Sequence, residues 1–446
     1  SDLQSELNLN VGTTVNDDSL LDLIRTVIHF SVNTQHPLFM NQLYGALDPY
    51  GLAGAWISEA LNTNQHTFEV APVFTLIEMA VIKKVMNLFG FEKGDGVFAP
   101  GGSLTNVFAM TVARYRLDPE IKQKGLSHLP PLVVFVSIDS HYSLLKAAHL
   151  LGIGTDNVIA ISTDTNGRMN VTELTSKIKE SIALGKKPFF VNATAGTTVL
   201  GAFDPFDEIA DVCQEFHLWL HVDACWGGSF IFSSKYGIVL KGSERADSLS
   251  WNPHKMLGAP LQCSIFILKE KDLLYNCNSA SATYLFQKDK FYDTSFDTGD
   301  KTMQCGRKTD AFKLWVMWKA RGDEGFANLV DKAVDSARYF KQQISNRPGF
   351  RLVLDEIQCT NVCFWYIPKS LYGQEETEEW RNKLNLVAPR IKEKMVLSGT
   401  LMIGYQPLLH RKLCNFFRLV TRCHPPLTRE EIDLVITEIE TKAEEL

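Results

Sequence analysis

The stretch "SLSWNPHKMLGAPLQCS", residues 248–264, carries one lysine, Lys255, among apolar and uncharged neighbours. A lysine held where little water reaches is destabilised as the cation, and the neutral amine is a nucleophile that condenses with carbonyls. Three other chemically promising features also sit at the ends of apolar runs. Asp223 closes such a run in "LWLHVDACWGG", where a carboxylate is costly unless paired or hydrogen-bonded. His141 follows another in "FVSIDSHYSLL" and offers a ring that either stacks on an aromatic ligand or bonds within the core. "FAPGGSLTNVFAMTVARYR" puts Gly101, Gly102, Ser103 and Thr105 at the start of an apolar helix, whose free amides and dipole suit a phosphate.

Each feature alone has a simpler account: a surface lysine, a structural ion pair, a core histidine, an ordinary helix cap at Ser103. Together they are the parts needed to hold pyridoxal phosphate. The helix start takes the phosphate, His141 takes a ring face, Asp223 keeps the ring nitrogen protonated and Lys255 carries the aldehyde. His217, His221 and Asp223 look superficially like metal ligands. Strand alternation puts His221 and Asp223 on one face with His217 before the strand, and no other cluster completes a site, so no metal is expected.

These residues need strands that end on a common edge. Strand candidates are 132–137, 158–162, 188–193, 218–223, 247–251 and 263–268. Helical patterns alternate with them, as in "DPFDEIADVCQEF", where Phe206, Ile209, Ala210, Cys213 and Phe216 recur at helical spacing. That predicts an α/β unit with a mostly parallel sheet flanked by helices and a ligand at the carboxyl ends of the strands. From about residue 326 the order changes to a helix, two strands (350–356 and 361–367), a helix (383–398), two more strands and a final helix (429–445). "YGQEETEEW" reads as a solvated loop. The expected division is an N-terminal segment, 1–69, a large domain, 70–325, and a smaller C-terminal α+β domain, 326–446.

The chain has 446 residues, 45% of them hydrophobic, enough for more than one core. A net charge of −6 gives no reason to expect nucleic acid as a partner. Nine cysteines without C-x-x-C spacing read as reduced thiols, with Cys359 and Cys363 expected on one strand facing the core. No apolar run reaches bilayer length and no basic-then-apolar leader opens the chain. No membrane association and a cytoplasmic location are therefore expected.

"HVDACWGG" and "NPHKML", with "FMNQLYGALDP", "NATAGTTVLGAFDP", "YLFQKDKFYD" and "DTGDKTMQCGR", resemble the group II pyridoxal-phosphate amino-acid decarboxylases along nearly the whole chain. Within that group the resemblance is to the acidic amino-acid branch, which includes the glutamate and cysteine-sulfinate enzymes. It implies a fold-type I enzyme that works as a homodimer with shared active sites. It also implies that Lys255 binds the cofactor aldehyde, Asp223 the pyridine nitrogen and His141 one ring face. Cys225 would pack on the other face, where the family usually has alanine. Leu104 (by its backbone), Thr105 and Asn252 would hold the phosphate, with His254 beside it and Thr198 near the phenolic oxygen. Tyr284 matches the tyrosine of a mobile loop that returns a proton to Cα, and Gly306 would lie near the partner's phosphate.

Arg418 sits mid-strand in "CNFFRLVT", where its fork wants an anion, either a substrate acid or an internal carboxylate. By resemblance, Arg418 and Gln42 would bind the substrate's distal acid group. Tyr44 should point the same way as Gln42. Glutamate decarboxylases carry serine at that position and cysteine-sulfinate decarboxylases carry phenylalanine, so a large ring is expected to shorten the pocket. Asn64 follows the glutamate branch. The expected reaction is decarboxylation of aspartate and cysteine sulfinate in preference to glutamate. Glutamate decarboxylation to GABA, an aminotransferase, a decarboxylating oxidase and a non-catalytic relative are the other readings.

Overall fold

The computed structural model describes residues 2–7, 9 and 11–444. Its strands are β1 (Phe39–Met40), β2 (Asp95–Ala99), β3 (Leu132–Ser137), β4 (Val158–Ile161), β5 (Lys187–Thr194), β6 (Trp219–Ala224), β7 (Ser248–Trp251), β8 (Ser264–Leu268), β9 (Phe350–Leu352), β10 (Asn361–Tyr366), β11 (Met402–Leu408) and β12 (Leu413–Val420). The six strands expected in the middle of the chain all form. They join β2 in a seven-stranded sheet of order β2-β8-β7-β6-β5-β3-β4. Only β8 runs against its neighbours. The central strands are buried along their whole length, as near-continuous runs of Val, Phe and Leu require when helices cover both faces. Register pairs Thr194 with Asp223 and Asp223 with Ser250, so β5, β6 and β7 end side by side. That edge is where a doubly covered parallel sheet places its ligand.

The second sheet has the order β1-β11-β12-β10-β9. Its buried face holds Val362, Phe364, Ile403, Phe417 and Leu419 against the helices Val387–Ser398 and Arg429–Ala443. The helix Asp310–Ser345 connects the two sheets and is interrupted at Gly322, where φ is 64°. Its first part packs on the helix Pro49–Leu61.

Four expectations need correction. β2 was not foreseen, because Asp95 and Gly96 dilute its short apolar run. The segment 383–398 is part of two helices, Glu378–Asn385 and Val387–Ser398, which meet at Leu386. The end of "YGQEETEEW" is helical: Thr377 caps Trp380 N–H at 3.2 Å, and Trp380 is buried. Cys359 precedes β10 and only Cys363 lies on it, although both are buried.

Candidate active site

The ends of β5, β6 and β7 and the loop after β3 enclose a cavity of about 170 Å³. Lys255, Asp223, His141, Cys225, Asn252, His254 and Thr198 all line it, together with Gly102 and Ser103 from the helix Gly102–Leu117. The four features that the sequence placed at separate strand ends therefore converge on one space.

The helix start is built from glycine for two reasons. Gly101 is the N-cap at φ 104°, a conformation that a side chain disfavours. A Cβ on Gly102 would meet Asn252 Nδ2 and Cys225 Sγ, each at 2.7 Å. Ser103, read as a possible cap, lies inside the first turn, and no side chain caps this helix. The amides of Leu104 and Thr105 are spent on the Gly101 carbonyl at 3.1 and 3.2 Å. Thr105 Oγ1 donates to Gly102 O at 2.8 Å and is fully buried. Neither Leu104 nor Thr105 is among the lining residues, whereas Gly102 and Ser103, whose amides precede the first donor used inside the helix, are.

Asp223 is buried, and its oxygens accept from Asn106 Nδ2 at 2.9 Å and Cys225 N–H at 3.1 Å. Burial alone would raise its pKa. The nearby Lys255 ammonium and the Asn106 amide outweigh that and hold the carboxyl below its usual range. His141 Nδ1 lies 2.8 Å from Ser143 Oγ, and burial lowers the imidazole pKa. Burial likewise keeps Cys225 a thiol, raising it well above the ordinary value. His254 is pushed down to about 4, chiefly by burial, and its Nδ1 lies 2.7 Å from Cys263 O. Lys255 N–H donates to Asn252 O at 3.0 Å, which closes the turn that presents the lysine.

Pyridoxal phosphate fits these residues. Asn252 Oδ1 is buried with no protein partner, a polar atom that calls for a ligand group. The space left by Gly102, the helix-start amides, the ionised Asp223 and the Lys255 amine all face one cavity.

Asn106 was missed from sequence, although a lone asparagine in "SLTNVFAMTV" must find partners once that helix is buried. Thr194 and Trp226 are further lining residues that lie in quoted motifs but were given no role. Arg418 is buried, and its Nη1 and Nη2 donate to Thr198 O at 2.9 Å and Asn41 O at 3.1 Å. Its Nε has no partner. Among the described residues it pairs with no carboxylate, which removes the internal salt bridge as its explanation. Gln42 and Tyr44 are both exposed while Leu43 between them is buried, the alternation foreseen. The other candidates lie apart from the cavity. Tyr284 is 78% exposed on the stretch after residue 280. Gly306 is exposed, and Asn64 Oδ1 accepts from Arg307 N–H at 2.8 Å. Arg307 is in turn fixed by a buried pair with Glu78 at 2.5 Å.

Comparison with known proteins agrees with this geometry. The pyridoxal-dependent decarboxylase conserved domain matches residues 3–367. The chain is 55% identical over 425 residues to acidic amino acid decarboxylase GADL1 of Mus musculus, covering 95% of this chain and 76% of that one. It is 50% identical over 430 residues to cysteine sulfinic acid decarboxylase of Mus musculus, covering 96% and 86%. The crystal structure of mouse CSAD in apo form superposes with a TM-score of 0.95 at 48% identity, covering 100% of this chain and 92% of that one. The chain therefore belongs to the pyridoxal-dependent decarboxylases, fold-type I α/β carboxy-lyases that use pyridoxal 5′-phosphate.

Proposed function

We propose that the chain decarboxylates small acidic amino acids, aspartate to β-alanine and cysteine sulfinate to hypotaurine, with little activity on glutamate. One observation carries this reading: a buried guanidinium without a carboxylate partner among the described residues is bonded to a wall residue of the cofactor cavity. Arginine has five N–H donors, so two bonds to carbonyls leave others for a substrate acid. The segment bearing Gln42 and Tyr44 spans from Arg418 to the lysine turn, because Asn41 O takes Arg418 and Asp48 N–H donates to Gly258 O at 2.9 Å. Tyr44 on that segment limits the length of the side chain that fits between the two ends. The names of the mouse relatives, an acidic amino acid and a cysteine sulfinic acid decarboxylase, support the same substrate class.

The residues divide the work as follows. Lys255 would anchor the cofactor, Asp223 would hold its ring nitrogen, and His141 and Cys225 would confine the ring. Gly102, Ser103 and Asn252 would surround the phosphate, with His254 beside it, and Thr198 would border the ring oxygen. The bound cofactor supplies an electron sink for the pair released when the Cα–carboxylate bond breaks. Arg418 and Gln42 orient the substrate through its distal acid. Tyr284 returns a proton to Cα and excludes water.

The working unit is a homodimer. Tyr284 and Gly306 are exposed and away from their own cavity, as residues serving a partner's site would be. The helix Asp17–Phe30 exposes Leu20, Leu21, Ile24, Val27 and Ile28, an apolar stripe suited to a second copy. The deciding experiment is CO2 release from aspartate, cysteine sulfinate and glutamate side by side. Preferred turnover of glutamate would overturn the substrate assignment.

A further inference from the structure

We infer that Asn106 and His221 are a positioning pair, the middle of a one-directional hydrogen-bond chain that fixes Asp223 as an acceptor and sets the His141 proton on Nε2. The inference rests on the cofactor-site roles of Asp223 and His141 given above.

The chain starts at a group that can only donate. Trp219 Nε1–H donates to Ser248 Oγ at 2.8 Å. Ser248 Oγ lies 2.9 Å from His221 Nδ1. Having accepted the indole hydrogen, the hydroxyl still has its own hydrogen to give to Nδ1, the arrangement that puts the histidine proton on Nε2. The other end demands the same order. An ionised Asp223 only accepts, so the group 2.9 Å from its Oδ2 is the Asn106 amide nitrogen. Asn106 Oδ1 then faces His221 Nε2 at 3.2 Å, a contact that is attractive only when Nε2 carries the hydrogen. Ser250 Oγ, also 3.2 Å from Nε2, serves as its second acceptor.

A branch carries the order to the stacking ring. The second hydrogen of Asn106 Nδ2 goes to Ser143 Oγ at 2.9 Å. The Ser143 hydroxyl keeps its own hydrogen to give to His141 Nδ1 at 2.8 Å. The Ser143 amide points at the same nitrogen, at 3.3 Å. Two donors on Nδ1 leave His141 protonated at Nε2.

Burial makes the order rigid. Asn106 is 1% exposed, and His221 and Ser248 are 0% exposed, so no water can substitute for a lost partner. Burial also pushes His221 down to about 4, which leaves it neutral with a single ring proton to place. Phe190 and Phe266 pack beside its ring and hold its plane.

The test combines binding and spectroscopy on the full-length chain. Pyridoxal phosphate affinity is measured by equilibrium dialysis for Asn106→Leu, His221→Leu and His221→Gln, with cofactor-free melting as a folding control. A buried charge that loses its hydrogen bond should weaken cofactor binding about tenfold in both leucine variants. The glutamine variant keeps an N–H donor toward Asn106 and should recover most of that loss. Parent-like affinity in both leucine variants, or no recovery in a folded glutamine variant, overturns the inference. Nitrogen-15 spectra of the parent holoenzyme, with the His141 signal identified by its loss in His141→Asn, test it without depending on whether the leucine variants fold. A bare Nδ1 and protonated Nε2 support the chain, and the reverse tautomer refutes it. Retention of the cofactor absorbance in Lys255→Ala would instead strike the site assignment on which the inference rests.

Discussion

Arg418 Nη1 donates to the carbonyl oxygen of Thr198 at 2.9 Å, so the guanidinium proposed to hold the substrate's distal acid is fastened to the cofactor cavity. Bond direction explains why the side chain stays poised. Carbonyls take two of its donors without neutralising its charge, so the buried cation still lacks an anion. Replacing Arg418 with methionine should lower kcat/KM for aspartate and cysteine sulfinate by about 10²-fold, since a charge-assisted fork to a carboxylate is lost. Most of the loss should fall in KM, because the contact exists before and during the bond-breaking step. Arg418→Lys keeps the charge without the fork and should lie between. Initial rates of CO2 release check this, and an unchanged KM in the methionine variant would exclude the residue from substrate binding.

Tyr44 is the residue proposed to set the length of the pocket. Its ring lies 6.5 Å from that of Phe39, tilted at 49°, on the segment between Arg418 and the lysine turn. Tyr44→Ser should open room for one more methylene, and discrimination of that size is worth about 10-fold or more in kcat/KM. Glutamate use should therefore rise relative to aspartate in a competition assay. An unchanged ratio would place the length restriction elsewhere.

The proton-returning role proposed for Tyr284 would separate a decarboxylase from an enzyme that merely starts decarboxylation. Tyr284→Phe keeps the ring and removes the acid. Return of the proton to Cα should slow about 10²-fold or more. The product mixture should shift from amine toward carbonyl compound, read by chromatography of both. A variant that makes amine at the parent rate would assign the proton to another group.

The strand-end logic was legible because alternation and burial leave few places for a charged residue. Asp223 and Lys255 each follow an apolar run, and the sheet brings both runs to one edge. Asn106 and His221 were illegible as a pair because their partnership depends on how a helix crosses a sheet, which no local spacing encodes. β1 was illegible for a related reason. A two-residue strand has no period to detect, and its partners, Met402 and Ile403, lie at the far end of the chain. Family position named Leu104 and Thr105, whose amides close the first helical turn, while Gly102 and Ser103, which line the cavity, carry no family signal of their own.

Buried titratable groups beside the cavity should give the fold a divided response to acid. His254 has its pKa lowered to about 4 by burial, against 6.5 for an ordinary imidazole. Between those values the unfolded chain binds the extra proton, so this group's stabilisation is full above about 6.5 and is lost as pH falls toward 4. The loss amounts to at most about 3 kcal/mol. Asp204 acts with the opposite sign. Its oxygens accept from Met169 N–H at 2.8 Å and Thr194 N–H at 2.7 Å, yet burial raises its carboxyl to about 7. The folded state then binds the proton more tightly, so its contribution is full below about 3.8 and is lost as pH rises through about 7. His254→Gln should therefore flatten the fall of melting temperature between pH 6.5 and 4, and Asp204→Asn should steepen it. Melting curves of the cofactor-free proteins across that window check both signs. Slopes that shift in the same direction for the two variants would mean that burial does not control these groups as described.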